Sequence, residues 1–158
     1  MDNEIKFEFV NRVLVSQDFG AEGNGYKLPE RSTKNSAGYD FFCIEEVTIE
    51  PKQIMYVKTG IKAKFPENMA LKLYNRSSNP KKKGLVLVNG VGIVDADYYN
   101  NPDNEGEIAF AFMNISETPV TLTVGQKLGQ GIFEHYYTVT DEGDINNERI
   151  SGFGSTGV

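Results

Sequence analysis

The chain has 158 residues, of which 39% are hydrophobic, and its formal net charge is −6. This length and hydrophobic content suit one folded domain and exclude an intrinsically disordered chain. The acidic balance argues against a nucleic-acid or lipid partner, because no positive surplus exists to displace counterions. No apolar run reaches the length of a membrane span, and the first residues lack the apolar stretch of a signal peptide. Cys43 is the single cysteine, so we expect a reduced, cytoplasmic protein.

Apolar residues alternate with polar or small residues along most of the chain, which is the pattern of β-strands. The segments with this pattern are, in chain order, IKFEFV (5–10), EVTIE (46–50), QIMYVKTGIKAKF (53–65), MALKLYN (69–75), EIAFAFMN (107–114) and PVTLTVG (119–125). Gly or Pro residues separate these segments, so the sequence predicts an all-β sandwich or barrel. We expect long loops over 16–38 and 98–107, and at most one short helix, within SSNPKKKG (77–84).

Several kinds of chemistry are excluded by missing residues. His135 is the single histidine and is expected at a strand end on the surface, so no Ser-His-Asp or Cys-His arrangement is proposed around it. One cysteine and one histidine also give no zinc site, and the phosphate-loop pattern GxxxxGK[ST] is absent. An enzyme with this sequence must use carboxylates, hydroxyls, backbone amides and a bound metal.

Four stretches combine polar side chains with tight turns, and each has an ordinary structural interpretation. Asp40 in SAGYD (36–40) is typical of a turn cap, and NRSSNPKKKG (75–84) is typical of a solvated turn, although Arg and Ser also bind phosphate oxygens. In NGVGIVDADYY (89–99), Asp95 follows an apolar run, where burial without a partner or a role is costly. The tail ERISGFGSTGV (148–158) resembles a frayed end, yet its amides could also wrap phosphates.

Taken in order, these stretches resemble the five motifs of the trimeric dUTP pyrophosphatases (dUTPases). The matching segments are Ala37-Gly38-Tyr39-Asp40-Phe41, Arg76-Ser77-Ser78 with Lys82 and Gly84, Asn89 to Tyr98, Gly125 to Gln130, and Gly152 to Gly157. The resemblance implies a jelly-roll-like distorted barrel of short antiparallel strands. It also implies a homotrimer in which a swapped C-terminal arm, residues 148–158, closes over a site formed with the domain of residues 1–147.

The resemblance further implies hydrolysis of dUTP to dUMP and pyrophosphate with Mg²⁺, in the cytoplasm of a bacterial or phage-infected cell. Asp95 corresponds to the general base that orients the attacking water, and Asp40 to the residue that holds Mg²⁺ through ligated water. The implied substrate-binding residues are Arg76, Ser77, Ser78, Asn89, Gly92, Tyr98, Gln130, Arg149, Phe153, Gly154, Ser155 and Thr156. Among these, Asn89 and its hairpin read uracil, Phe153 stacks on uracil, and Tyr98 excludes a ribose 2′-hydroxyl.

The sequence departs from the family pattern at three places. Lys127 stands where arginine is usual, which keeps the charge but loses the bidentate fork. Arg149 lies four residues before Phe153 rather than five. Gly106 lies eight residues after Tyr98 rather than two, so the chain carries a phage-type insertion that is either a neutral loop extension or, over 99–106, a contact surface for another protein.

The sequence is also compatible with two alternative functions. A dCTP deaminase-like nucleotide enzyme shares the fold but needs a catalytic glutamate and a tryptophan-containing stretch, and this chain has no tryptophan. A dUTP-binding regulatory protein would lack the catalytic base, yet Asp95 is present.

Overall fold

A computed structural model describes residues 2–16 and 26–152. Its strands are β1 (Lys6–Phe9), β2 (Tyr39–Phe42), β3 (Val47–Ile49), β4 (Ile54–Lys58), β5 (Ile61–Lys64), β6 (Met69–Tyr74), β7 (Leu85–Leu87), β8 (Gly92–Asp95), β9 (Ala109–Asn114), β10 (Val120–Leu122) and β11 (Lys127–His135). Its helices are α1 (Asn11–Leu14), α2 (Asn79–Lys83) and one 3₁₀ turn (Ala96–Tyr98). The predicted all-β class is therefore confirmed.

The strands form small antiparallel sheets around a shared core. The largest sheet has the order β2-β11-β6-β8, and a second has the order β4-β9-β7. Two further pairs, β1 with β5 and β3 with β10, extend the structure. Strand β6 lies between β11 and β8, with Gln130 opposite Tyr74 in one ladder and Asp95 opposite Ala70 in the other.

The core is built from the large side chains of the predicted alternating segments. Phe110 and Phe112 are buried, and the ring of Phe41 packs edge-on against Phe110 at a centroid distance of 5.4 Å. The intervening Ala109 and Ala111 are buried as well. Alternation in this strand therefore separates large from small side chains rather than buried from exposed ones, because both faces of β9 are covered by the rest of the protein.

The helices agree only in part with the prediction, which allowed at most one short helix. Helix α2 was expected, since Pro80 lies in its first turn and Gly84 ends it in the left-handed conformation at φ 65°. Helix α1 was missed, because its first N–H groups have no local side-chain cap. Instead, the backbone N–H of Asn11 donates to the Glu105 carboxylate, 3.0 Å away at Oε2, from far along the chain.

The C-terminal part of the described chain has no regular structure. Strand β11 ends at His135, which is exposed as expected, and residues 136–152 contain neither helix nor strand. In the parts of the chain that the structure describes, no helix is both long and apolar enough to cross a membrane.

A substitution at Gly129 tests how tightly the core is packed around Phe110. A Cβ at Gly129 would lie 2.7 Å from Phe110 Cδ1, so Gly129→Ala is expected to lower the free energy of unfolding by roughly 2 kcal/mol through overpacking. Gly143→Ala is the matched control, since a Cβ there meets nothing within 4 Å. Urea unfolding at one protein concentration measures both, and equal midpoints would contradict the packing described for Phe110.

Candidate functional site

Strand β11 brings the predicted residues of three motifs into one row. Gln130 pairs with Asp40 of β2 on one side and with Tyr74 of β6 on the other. The Gln130 side chain then donates from Nε2 to the backbone oxygen of Asn75, at 3.2 Å. Asp40, Gln130 and the beginning of the Arg76–Ser78 turn therefore lie side by side.

Gly38 makes room for this arrangement. A Cβ at Gly38 would lie 3.0 Å from Cδ of Gln130, so the glutamine side chain occupies the space that any larger residue would need. The glycine of the AGYD stretch thus lets the Gln130 side chain of a different motif take its present position.

The Arg76–Ser78 turn is held by two asparagines that the sequence analysis did not select. Asn75 Oδ1 accepts from the backbone N–H of Arg76 at 2.9 Å and from Asn79 Nδ2 at 2.7 Å. Asn79, which is 1% exposed, also donates to the Leu128 carbonyl oxygen of β11 at 2.8 Å. Within this fixed turn, Ser77 is exposed, while Arg76 and Ser78 are half-buried.

Asp40 lies in a local network that includes a motif-four lysine. Lys127 Nζ lies 2.8 Å from Asp40 Oδ2, and Ser32 Oγ donates to the same oxygen at 2.6 Å. Burial by itself raises the pKa of Asp40, but the hydrogen bonds from Lys127 and Ser32 outweigh it, so the net pKa is lowered. The carboxylate is therefore kept ionised.

Asn89 and Gly92 belong to the hairpin between β7 and β8. Asn89 is exposed, and its backbone oxygen accepts from the Val91 N–H at 2.8 Å, which closes the turn around Gly90 at φ 69°. Gly92 is buried opposite Leu73. The turn presents backbone polar groups beyond the end of the sheet.

Asp95 ends β8 on the outward face, and its side chain is 54% exposed. The burial that made this carboxylate conspicuous in the sequence is thus absent, because the apolar residues before it alternate between the two faces. Arg149 contacts it, with Nη2 2.7 Å from Asp95 Oδ2 and Nε 2.6 Å from Asp97 Oδ1. The guanidinium is only 10% exposed and joins the C-terminal segment to the two carboxylates.

Tyr98 is 3% exposed, and its hydroxyl is held by two hydrogen bonds. Its hydroxyl donates to the Glu107 carbonyl oxygen at 2.7 Å and accepts from Asn104 Nδ2 at 2.8 Å. The Arg149 guanidinium lies over the ring, 5.9 Å from its centroid. Burial is the largest influence on the phenol and raises the pKa of Tyr98.

The structure places these residues in two separate groups. Gln130 pairs with Tyr74 at one end of β6, whereas Asp95 pairs with Ala70 near the other end on the opposite edge. Four residues along the strand and two strand spacings across the sheet put Gln130 and Asp95 about 16 Å apart. A single chain therefore brings Asp40, Gln130 and Arg76 together, and separately Asp95, Tyr98 and Arg149, but does not unite the two groups.

Phe153, Gly154, Ser155 and Thr156 lie outside the described residues. Within residues 2–16 and 26–152, no group of three or more His, Cys, Asp or Glu side chains could hold a metal ion. The sequence analysis missed Asn75, Asn79 and Asn104, and the sole signal for the first two was their position directly beside the Arg-Ser-Ser turn.

Comparison with known proteins identifies the family to which this chain belongs. A solved dUTPase from Streptococcus mutans matches the antiparallel β fold with a TM-score of 0.75 at 40% identity, covering 84% of this chain and 97% of that one. The dUTPase family model matches residues 24–157. The chain therefore belongs to the dUTPase family.

Two further relatives show the range of similarity. A deoxyuridine 5′-triphosphate nucleotidohydrolase from Lactococcus lactis is 46% identical over 135 residues, covering 85% of this chain and 90% of that protein. The dUTPase of Staphylococcus aureus phage phi11 shares the fold with a TM-score of 0.69 at 22% identity, covering 92% of this chain and 97% of that one.

Lys127 is expected to control the ionisation of Asp40. Lys127→Met removes the hydrogen bond and the positive charge but leaves the burial, so the pKa of Asp40 should rise. Because a depressed carboxylate pKa stabilises the fold above the unfolded-state pKa and loses that effect as the pH falls, the variant should also lose stability at neutral pH. Carboxyl-carbon NMR titration measures the pKa. Lys127→Arg is the control that keeps the charge, and an unchanged Asp40 titration in Lys127→Met would exclude this coupling.

Proposed function

We propose that this chain is a Mg²⁺-dependent homotrimeric enzyme that hydrolyses dUTP to dUMP and pyrophosphate. Membership of the dUTPase family supports the reaction. The observation that carries the proposal for the assembly is the separation of the Asp95 group from the Gln130 group along β6. A nucleotide bound to Asp95 of one subunit then has its phosphates on the Arg76–Ser78 turn of a neighbouring subunit.

The chemical step we propose uses Asp95 as the general base. A water molecule held by the Asp95 carboxylate attacks the α-phosphorus and gives its proton to that carboxylate. The bond from the α-phosphorus to the oxygen that bridges to the β-phosphorus breaks, and pyrophosphate leaves with that oxygen. The 54% exposure of the Asp95 side chain supports this role, since water and substrate can approach the carboxylate once Arg149 has left it.

The nucleoside is recognised by the β7–β8 hairpin and Tyr98. The backbone groups of the turn that runs from the exposed Asn89 to Gly92 read the edge of uracil, and the ring of Tyr98 closes the space that a ribose 2′-hydroxyl would need. A buried, doubly hydrogen-bonded tyrosine suits such a rigid wall. Selection against UTP is then steric.

The phosphates are bound by groups that carry hydroxyls, amides or positive charge. Arg76, Ser77, Ser78 and Gln130 contribute from the row beside Asp40. The C-terminal arm contributes Arg149, Phe153, Gly154, Ser155 and Thr156 to a site on a neighbouring subunit, with Phe153 stacked on uracil. Arg149 exchanges its contacts with Asp95 and Asp97 for phosphate oxygens when substrate binds, which frees the base.

Asp40 suits a magnesium ion that keeps most of its water. Mg²⁺ is commonly held by one or two carboxylates, its own water molecules and substrate phosphates, so a single ionised carboxylate beside a phosphate-binding turn fits. When bound, the ion neutralises negative charge on the triphosphate. Lys127 and Ser32 hold the carboxylate in place.

The alternative functions receive no support from the contacts. Glu107, the glutamate nearest to the position that a deaminase would use, is buried and its carboxylate is bound by Arg12 and by the backbone N–H of Gly60. Polar side chains of the 99–106 loop form hydrogen bonds within this chain. These contacts favour a structural role for the loop over binding of another protein. A cytoplasmic location remains part of the proposal.

The role of Asp95 can be separated from that of Asp97. Asp95→Asn should lower kcat for dUTP by about 100-fold or more, because the base is lost. Asp97→Asn is the matched control, since Asp97 has the same charge and contacts the same arginine but is not given the proton. Pyrophosphate release with Mg²⁺ measures both, with dTTP, dCTP and UTP as comparison substrates. Equal losses in the two variants would contradict the assignment, and wild-type turnover of UTP as fast as dUTP would contradict the role of Tyr98.

The arm can be tested by truncation after Ile150. The shortened chain should keep the trimer mass on sedimentation but lose most turnover, because the residues that close over the nucleotide are gone. Normal turnover by the truncated trimer would exclude the arm from the site.

A further inference from the structure

The 99–106 loop is organised around one buried amide. Asn101 is 5% exposed, and its Oδ1 accepts from the backbone N–H groups of Asp103 at 3.1 Å and Asn104 at 3.2 Å. Its Nδ2 donates to the Tyr98 carbonyl oxygen at 2.9 Å and to Asn104 Oδ1 at 2.7 Å. The loop is therefore closed onto itself, and Asn101 sets the position of Asn104.

The orientation of the Asn104 amide follows from its neighbours. Its Oδ1 accepts from Asn101 Nδ2 and from the backbone N–H of Gly106, at 3.1 Å. Both of these groups are donors, so the oxygen must face them and the nitrogen must face Tyr98. The amide cannot turn over without losing both contacts.

The Tyr98 hydroxyl has a single hydrogen, and its direction is also fixed. The Glu107 carbonyl oxygen can only accept, so the phenol donates to it and must accept from Asn104 Nδ2. Because burial raises the pKa of Tyr98, the phenol keeps this hydrogen at neutral pH. The tip of the ring is thus held between one donor and one acceptor.

We propose that Asn104 is a positioning residue for substrate selection, which makes the inserted loop part of the sugar-recognition apparatus. The inference rests on the proposed function, in which the ring of Tyr98 lies against the deoxyribose. Asn104 and the Glu107 carbonyl hold the tip of that ring, while the 3₁₀ turn holds its base. A ring released at its tip can tilt, and a tilt opens the space that excludes the ribose 2′-hydroxyl.

The direct test is Asn104→Asp. Aspartate has the same shape and keeps the acceptor for Asn101 and Gly106, but it presents an oxygen to a phenol whose hydrogen is already used. The ratio of kcat/KM for dUTP over UTP should fall about tenfold, mainly because UTP is used better. If this variant does not fold, as judged by circular dichroism, Asn104→Ala removes the same donor without adding a charge and should give the same fall.

Asn100→Asp is the matched control. It makes the same change of charge in the same loop, and Asn100 Oδ1 already serves as an acceptor, from Lys62 Nζ at 2.7 Å. Asn100 has φ 57°, a conformation that aspartate also tolerates. This variant should keep the wild-type ratio of dUTP to UTP turnover.

A double variant separates positioning from general damage to the loop. In a Tyr98→Phe background there is no hydroxyl to receive the hydrogen bond, so adding Asn104→Asp should leave the dUTP to UTP ratio unchanged. A wild-type ratio in Asn104→Asp, or a full additional loss in the Tyr98→Phe background, would overturn the proposal. Absence of dUTP turnover in the wild type would instead overturn the proposed function.

Discussion

Strand β6 is the constraint on which the site depends, because it carries β11 on one edge and β8 on the other. The two ladders fix Gln130 opposite Tyr74 and Asp95 opposite Ala70. Buried Leu71 and Leu73 lock this register, since a slip of one residue would turn both side chains out of the core. The Gln130 and Asp95 groups are therefore held at a fixed separation within one chain, and in the proposed trimer a neighbouring subunit brings them together.

Asparagine amides hold the turns that surround this sheet. Asn79 binds its turn to the carbonyl of Leu128, Asn101 closes the inserted loop, and Asn114, which is fully buried, donates to the carbonyl oxygens of Ile49 and Thr118. An amide offers two donors and one acceptor without a net charge, so it can bind several backbone groups inside the protein without the cost of burying an ion. Neutral hydrogen bonds from these asparagines therefore stabilise the turns alongside the ion pairs of Asp40 with Lys127 and of Asp95 with Arg149.

Much of the fold could be predicted because its signals are local. The alternation in MALKLYN and EIAFAFMN follows the two-residue period of a strand, and Pro80 and Gly84 mark the limits of α2. Helix α1 could not be predicted, since the N–H of its first residue, Asn11, is satisfied by Glu105, which is 94 residues away in the sequence. The order of the motifs selected Asp40, Gln130 and Asp95, yet the distance between them depends on strand register. Asn104 could not be selected from the sequence, because its proposed role depends on its hydrogen bond to the hydroxyl of Tyr98.

Arg149 changes the electrostatic field that surrounds the carboxylates. Asp95 and Asp97 would together repel an approaching polyanion, and the chain as a whole is acidic. The guanidinium between them removes about half of that local charge before any ligand arrives. The C-terminal segment therefore affects how quickly a polyanion can reach this surface, in addition to how firmly it is held there.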